Sequence, residues 1–458
     1  MKTVWEKYPE EARQPIFDLA DDYKAFITAA KTEREQVAEA IKLAETKGYK
    51  PLEKYKKLKA GDKVYVNNRG KSLCLFAIGK QPLEKGLNIL GAHVDSPRLD
   101  IKQVPLYEDG ASGLAFLDTH YYGGIKKYQW VTQPLSLHGV VAKKDGTLVQ
   151  VCVGEDENDP VVGISDILIH LAAEQMKKPA ATAIEGEDLN ILVGSIPLKA
   201  EGEEKDLVKK NVLAILKEKY GIEEDDFLSA ELEAVPAGKA RDYGLDRSMV
   251  FAYGQDDKIC AYTSLRAILE IKKPERTSCC ILVDKEEVGS QGNSGMQSRF
   301  FENAIAEMIA KTTDYNDLLL RRALHNSRML SSDVSAAYEP NFPAVFELKN
   351  SAFMGKGIVF NKYTGARGKS GCNDANAEFL GKLRKVMDEN KVMFQTAELG
   401  RVDAGGGGTI AYILANLDMD VIDAGIAVQN MHSCYEVSSK ADIYEAVQAY
   451  TAFLKDMD

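Results

Sequence analysis

Glu286 and Glu287 stand side by side in VDKEEVGS, residues 283–290, just past the apolar run Cys279-Cys-Ile-Leu282. The chain has only six histidines, and two of them also follow apolar runs: His93 in ILGAHVDSP and His432 in GIAVQNMHSCYE. Asp256-Asp257 in MVFAYGQDDKICAY and Asp333 in MLSSDVSAAYEP complete a set of polar residues at strand ends. Ligands of open α/β sheets bind beyond the carboxyl ends of the strands, so one site could draw on all of them. Each has an ordinary reading alone: a chance polar residue for either histidine, a helix N-cap for Asp256, a surface charge for the rest. Together, two histidines and three carboxylates can hold two divalent ions. Such ions sit about 3.5–4 Å apart, need a bridging carboxylate and terminal ligands, and clamp a nucleophilic water. His, Asp and Glu suit zinc, with cobalt or manganese in its place. The water must lose a proton and the leaving group must gain one, which needs a carboxylate near the ions but not bound to them. Two adjacent glutamates supply both roles. Asp95, two residues after His93, faces the same side of an extended segment and can take the second imidazole N–H, fixing the tautomer.

These residues need elements to carry them. Residues 10–60 read as helical, with apolar residues at three- and four-residue spacing and Gly48 as a stop. DKVYVNNRGKSLCLFAIG reads as a hairpin turning at Asn67–Gly70, and LNILGAHVDSPRLDIK (87–102) as an apolar strand that turns polar at Gly91. From 104 to 200 the character changes: YQWVTQPLSLHGVVAKKDGTLVQVCVG alternates like antiparallel strands with a turn at Asp145-Gly146. Residues 163–177 and 201–220 are expected as helices, and Pro236-Ala-Gly238 as a linker. After residue 247 strand and helix alternate again: a strand near 249–254, a helix at 258–271, a strand at 279–283, a helix in GMQSRFFENAIAEMIAKT, and a buried strand at 421–429. The expected fold is α/β, a mixed central sheet flanked by helices. Residues 1–103 and 247–458 would form this domain, interrupted by a β-rich insert at 104–246.

Composition limits the partners. With 458 residues, 45% hydrophobic, a core of two or three domains is available. A net charge of −11 and no basic stripe argue against nucleic acid and against an anionic membrane. Seven cysteines without zinc-knuckle spacing, a charged N-terminus and no long apolar run point to a reduced, cytoplasmic setting.

AHVDSPRLD, DKEEVGS, SSD…P and MHS…E, in this order, resemble the aspartyl aminopeptidase family, within the cocatalytic dizinc exopeptidases. The resemblance covers nearly the whole chain. It implies that His93 binds one zinc, Asp256 rather than Asp257 bridges, Glu287 and Asp333 are further ligands, and His432 closes the set. It also makes Glu286 the general base and Asp95 the orienter of His93. It implies removal of N-terminal residues, acidic ones among them, from short peptides. The insert would be a dimerisation domain, and dimers would build a tetrahedral homododecamer with enclosed sites. His170, in ISDILIHLAAE, matches a segment that reaches substrate in some relatives. Two departures bear on specificity: the family's His-Ala-x-His-Pro is here Ser335-Ala-Ala-Tyr-Glu339-Pro, and the Arg-Leu before the bridging aspartate is Gly254-Gln255. Lys362, Arg367 and Lys369 in NKYTGARGKSG offer a substrate carboxylate a partner, and Thr409 follows a glycine run that lets backbone approach the substrate. RGKS (367–370) lacks the glycine a phosphate-binding loop needs at position 363, and no Gly-x-Ser-x-Gly elbow occurs. The rivals are a related dimetal carboxypeptidase, dipeptidase or deacylase, and a non-catalytic oligomeric shell.

Overall fold

A computed structural model describes residues 2–199 and 205–458. They form two compact units: Met1–Asp95, Ala240–Met431 and Glu436–Asp458 make the first, and Ser96–Lys239 with His432–Tyr435 the second. The chain crosses at Ser96 rather than at residue 104, because the Arg98–Asp109 strand pairs with Leu114–Tyr122 and Ala230–Pro236 inside the second unit. It returns at Ala240, directly after the Pro236-Ala-Gly238 stretch.

The first unit is built on a nine-stranded mixed sheet. Four neighbouring strands at its centre run parallel: Thr277–Val283, Leu87–His93, Arg328–Ser331 and Asp420–Gly425. The hairpin Lys63–Asn68 and Ser72–Ala77 joins antiparallel on one side, and Ile358–Asn361 on the other. All residues of Leu87–His93 and of Thr277–Val283 are buried, as central parallel strands covered on both faces require. Strand alternation sends Leu90, Ala92, Cys280 and Leu282 into one apolar cluster, and Ile89, Cys279, Ile281 and Val283 into another. Helices Gln14–Ala29, Glu33–Thr46, Gln255–Leu269, Ala377–Glu389 and Lys440–Asp456 cover the first face; Phe300–Thr312 and Asp317–His325 cover the second. Adjacent Cys279 and Cys280 therefore point to opposite faces, and all seven cysteines are free. A five-stranded sheet accompanies this core, and it contains Met249–Ala252, Glu436–Ser439 and Ala427–Gln429.

The expected single strand at 421–429 is two strands, Asp420–Gly425 and Ala427–Gln429, in different sheets. The break falls where Gly425 presses on the neighbouring loop: a Cβ there would lie 1.7 Å from the Asp333 carbonyl oxygen.

The second unit holds a six-stranded antiparallel sheet, including the Leu135–Ala142 and Leu148–Val153 hairpin. The helix expected at 201–220 runs Leu207–Tyr220; residues 201–204 lie outside the described residues. The helix expected at 163–177 is absent. That segment holds only short turns at Ile169–Leu171 and Gln175–Lys177. Its apolar residues Ile167, Leu168, Ile169 and Leu171 are 50–71% exposed, so no buried face supports a helix there. Among the described residues, no helix is long and apolar enough to cross a membrane.

Candidate metal centre

The parallel strands deliver their last residues to one end of the sheet. His93 ends its strand opposite Val283, the residue that precedes the Asp284–Glu287 turn. Asp333 lies two residues past Ser331, the end of the next strand. Asp256 and Asp257 follow the Met249–Ala252 strand. They are not a helix cap: the cap position is Gly254, and both aspartates have non-helical backbone within a bent first turn, with a cis peptide between them.

His93 is the hub. Its Nε2 lies 3.2 Å from Asp256 Oδ1 and 3.9 Å from Glu286 Oε2. Its Nδ1 lies 3.0 Å from the Asp95 carbonyl oxygen and 3.3 Å from Asp95 Oδ1. Its backbone N–H donates to Asp257 Oδ2 at 3.2 Å. The Asp95 carboxylate also accepts the backbone N–H groups of Glu286 and Glu287, each at 3.1 Å. One side chain thus joins the histidine to the paired glutamates. Two trios share His93, each able to place its ligand atoms within 4.8 Å of one another: His93, Asp256 and Glu287, and His93, Asp257 and Asp333.

The electrostatics favour positive charge. Burial alone would push the His93 imidazole down, but Asp256, Asp95 and Glu286 outweigh it and hold it well above its usual range. Burial pushes Asp257 well above the ordinary carboxylate range, and the Asp256 charge adds to this. Asp333 rises likewise, through burial and repulsion from Asp257, Glu286 and Asp256. Buried carboxylates crowded around one imidazole need a cation to be stable as anions. Asp257 Oδ1 is buried without a hydrogen-bond partner. An oxygen- and imidazole-rich donor set of this kind fits divalent ions such as zinc.

The remaining expected site residues have contacts of their own. His432 belongs to the four-residue segment grouped with the second unit; there its Nδ1 is 2.8 Å from the Gly124 carbonyl oxygen. His170 is exposed in the Ile169–Leu171 turn of the second unit. Lys362 and Lys369 both lie against the Tyr363 ring, at 4.2 and 3.3 Å from its centre, and Lys362 pairs with Asp374 at 3.1 Å. Arg367 is exposed on the same loop. The Thr409 hydroxyl accepts the Ala411 N–H at 3.2 Å.

Sequence reasoning gave no role to Glu436. Its Oε2 accepts the Asp256 N–H at 2.9 Å, and its carbonyl accepts the Gln255 side chain at 2.6 Å. The signal was the glutamate that ends the MHS…E stretch.

A metallopeptidase site at the carboxyl ends of a mixed sheet is the class this arrangement defines. The family model described as "Aminopeptidase I zinc metalloprotease (M18)" matches residues 26–454. A curated relative, "Probable M18 family aminopeptidase 1" of Clostridium acetobutylicum, is 64% identical over 99% of this chain and 98% of its own. An M18-family aminopeptidase structure from Thermotoga maritima superimposes with TM-score 0.95 at 45% identity, covering 100% of this chain and 99% of the other. The mApe1 dodecamer of S. cerevisiae has the same fold, at TM-score 0.77 and 22% identity over 96% and 97% of the two chains. The chain belongs to the M18 family of zinc metallopeptidases and is an aminopeptidase.

Proposed function

We propose that this aminopeptidase removes N-terminal residues from short peptides with two divalent cations, zinc in the first instance, and with Glu286 as general base. The carrying observation is the pair of ligand trios that share His93. His93, Asp256, Glu287 and Asp333 would hold the ions, and the sequence resemblance adds His432. When bound, the ions supply Lewis-acid polarisation of the scissile carbonyl and a more acidic water.

The chain's own residues do the rest. Glu286, its Oε2 3.9 Å from His93 Nε2, stands beside the ligands and would take the proton of the attacking water and return it to the leaving amine. Asp95 fixes the His93 ring through Nδ1 and holds the backbone of both glutamates. Asp257 and Glu436 hold the backbones of His93 and Asp256. Lys362, Arg367, Lys369, Thr409 and His170 are the proposed substrate contacts, with an acidic N-terminal residue as one candidate for the basic loop. The insert is proposed to dimerise the chain, and the dimers to build a tetrahedral homododecamer; the exposed apolar run Ile167–Leu171 and the dodecameric mApe1 neighbour support this. Seven free cysteines suit a reducing, cytoplasmic setting.

The test is hydrolysis of a panel of aminoacyl anilides by chelator-stripped protein, with zinc, cobalt or manganese added back. Activity should return with metal and vanish on N-acetylated substrates. Glu286→Gln should lose about 10²–10⁴-fold in kcat with metal retained. Full activity after exhaustive stripping would overturn the two-cation reading. Cleavage of N-blocked substrates would move the assignment to a related hydrolase.

A further inference from the structure

We propose that Asp284 is a positioning residue for the Glu286–Glu287 turn, its carboxylate locked by Ser294 so that it fixes the backbone presenting both glutamates. The proposal rests on Glu286 being the base. Asp284 is the first residue past the Thr277–Val283 strand, 1% exposed, and belongs to neither ligand trio.

Its two oxygens have separate tasks. Oδ1 accepts the Lys285 N–H at 2.8 Å, and Oδ2 accepts the Ser294 hydroxyl at 2.6 Å. Ser294 is itself anchored. Its carbonyl accepts the Asp284 N–H at 3.3 Å and the Ser72 hydroxyl from the adjoining strand. Asp284 is thus tied to the neighbouring strand of the sheet through a second segment of chain.

What it holds is an unfavourable conformation. Lys285 has φ 69° and ψ 17°, the left-handed region, which costs a residue with a side chain about 1 kcal/mol. This turn redirects the chain so that the next two N–H groups meet Asp95. Three successive N–H groups, of Lys285, Glu286 and Glu287, therefore end on two carboxylates. Asp95 holds the middle of the turn and Asp284 its entry. The returning loop is packed tightly on itself: a Cβ on Gly295 would lie 2.2 Å from the Ser290 carbonyl oxygen. If the entry bond is lost, Lys285 relaxes towards ordinary backbone and both glutamate side chains shift. A displacement near 1 Å at a catalytic group can cost on the order of 100-fold in rate.

The experiment compares full-length Asp284→Ala, Asp284→Asn and Ser294→Ala with Glu286→Gln. It reads kcat and KM on an aminoacyl anilide, bound metal, melting temperature, and amide hydrogen exchange of residues 285–287 in metal-free protein. Asp284→Ala should lower kcat about 10- to 100-fold with KM and metal content within about twofold, and should speed exchange at 285–287. Asp284→Asn should recover most of the rate, since its amide oxygen can accept from Lys285 and its NH2 can donate to Ser294. Ser294→Ala should fall between, and carries the test if Asp284→Ala does not fold. The proposal is overturned if kcat stays within twofold of the parent, if it falls only in step with bound metal, or if Asn recovers nothing. Full turnover in Glu286→Gln would remove the base assignment instead, and the exchange result would still report on the turn.

Discussion

Asp423 is the buried carboxylate whose behaviour should be easiest to read in solution. It sits in the Asp420–Gly425 strand, and burial pushes its pKa up to about 7, although the hydroxyls of Thr409, Ser331 and Thr364 pull the other way. Neither oxygen makes a well-formed hydrogen bond. Its native pKa lies above the ordinary value of 3.8, so the folded chain binds more protons than the unfolded chain between those limits. Stability from this group is therefore fully present below about pH 4 and is lost as pH rises to about 7. Asp423→Asn should flatten that slope and gain stability above pH 7, by at most about 4 kcal/mol. Thermal melts of parent and variant from pH 5 to 8 check this; parallel curves would contradict it. The same scale separates what the sequence reveals from what it hides. His93, Asp95, Glu286, Glu287 and Asp333 are legible because each stands within a few residues of an apolar run, in a short motif. Glu436 and Asp284 are not, because their task is to hold backbone. Glu436 acts on Asp256 across 180 residues of chain, a pairing no local pattern announces.

At the level of strands and loops, the site depends on a close approach. The backbone of Gly425 lies against that of Asp333, leaving no room for a side chain. Gly425→Ala should push the Asp333 peptide away, lower bound metal by about half, and cost roughly 1–3 kcal/mol. Metal analysis with a denaturant melt measures both, and unchanged metal content would show that Asp333 tolerates the shift. This contact also explains why 421–429 misleads as a sequence: apolar residues continue on both sides of Gly425, and only the glycine marks where the chain passes from one sheet to another. The central strands are legible for the opposite reason. A continuous apolar run such as Ile89–Ala92 is expected to be buried on both faces. The 163–177 segment fails because helical spacing does not specify what the apolar stripe will meet. Here it faces outward in the chain on its own.

The whole molecule gives that outward-facing stripe its proposed use. If it seals a contact between copies, replacing Leu168 and Leu171 together by glutamate should reduce the particle mass without unfolding the chain. Light scattering after size exclusion reads the mass, and circular dichroism reads the fold. An unchanged mass would place the contact elsewhere. The order of the ligands along the chain has a further consequence. His93 comes before the second unit, while Asp256, Glu287 and Asp333 come after it; Glu287 and Asp333 follow strands that pair with the His93 strand. Asp333, the last of these partners, stands nearly three quarters of the way along the 458-residue sequence. A chain that stops short of them carries His93 without the carboxylates proposed to share an ion with it. The set proposed to hold the ions is thus completed long after its first member, with the whole of the second unit's main segment synthesised in between.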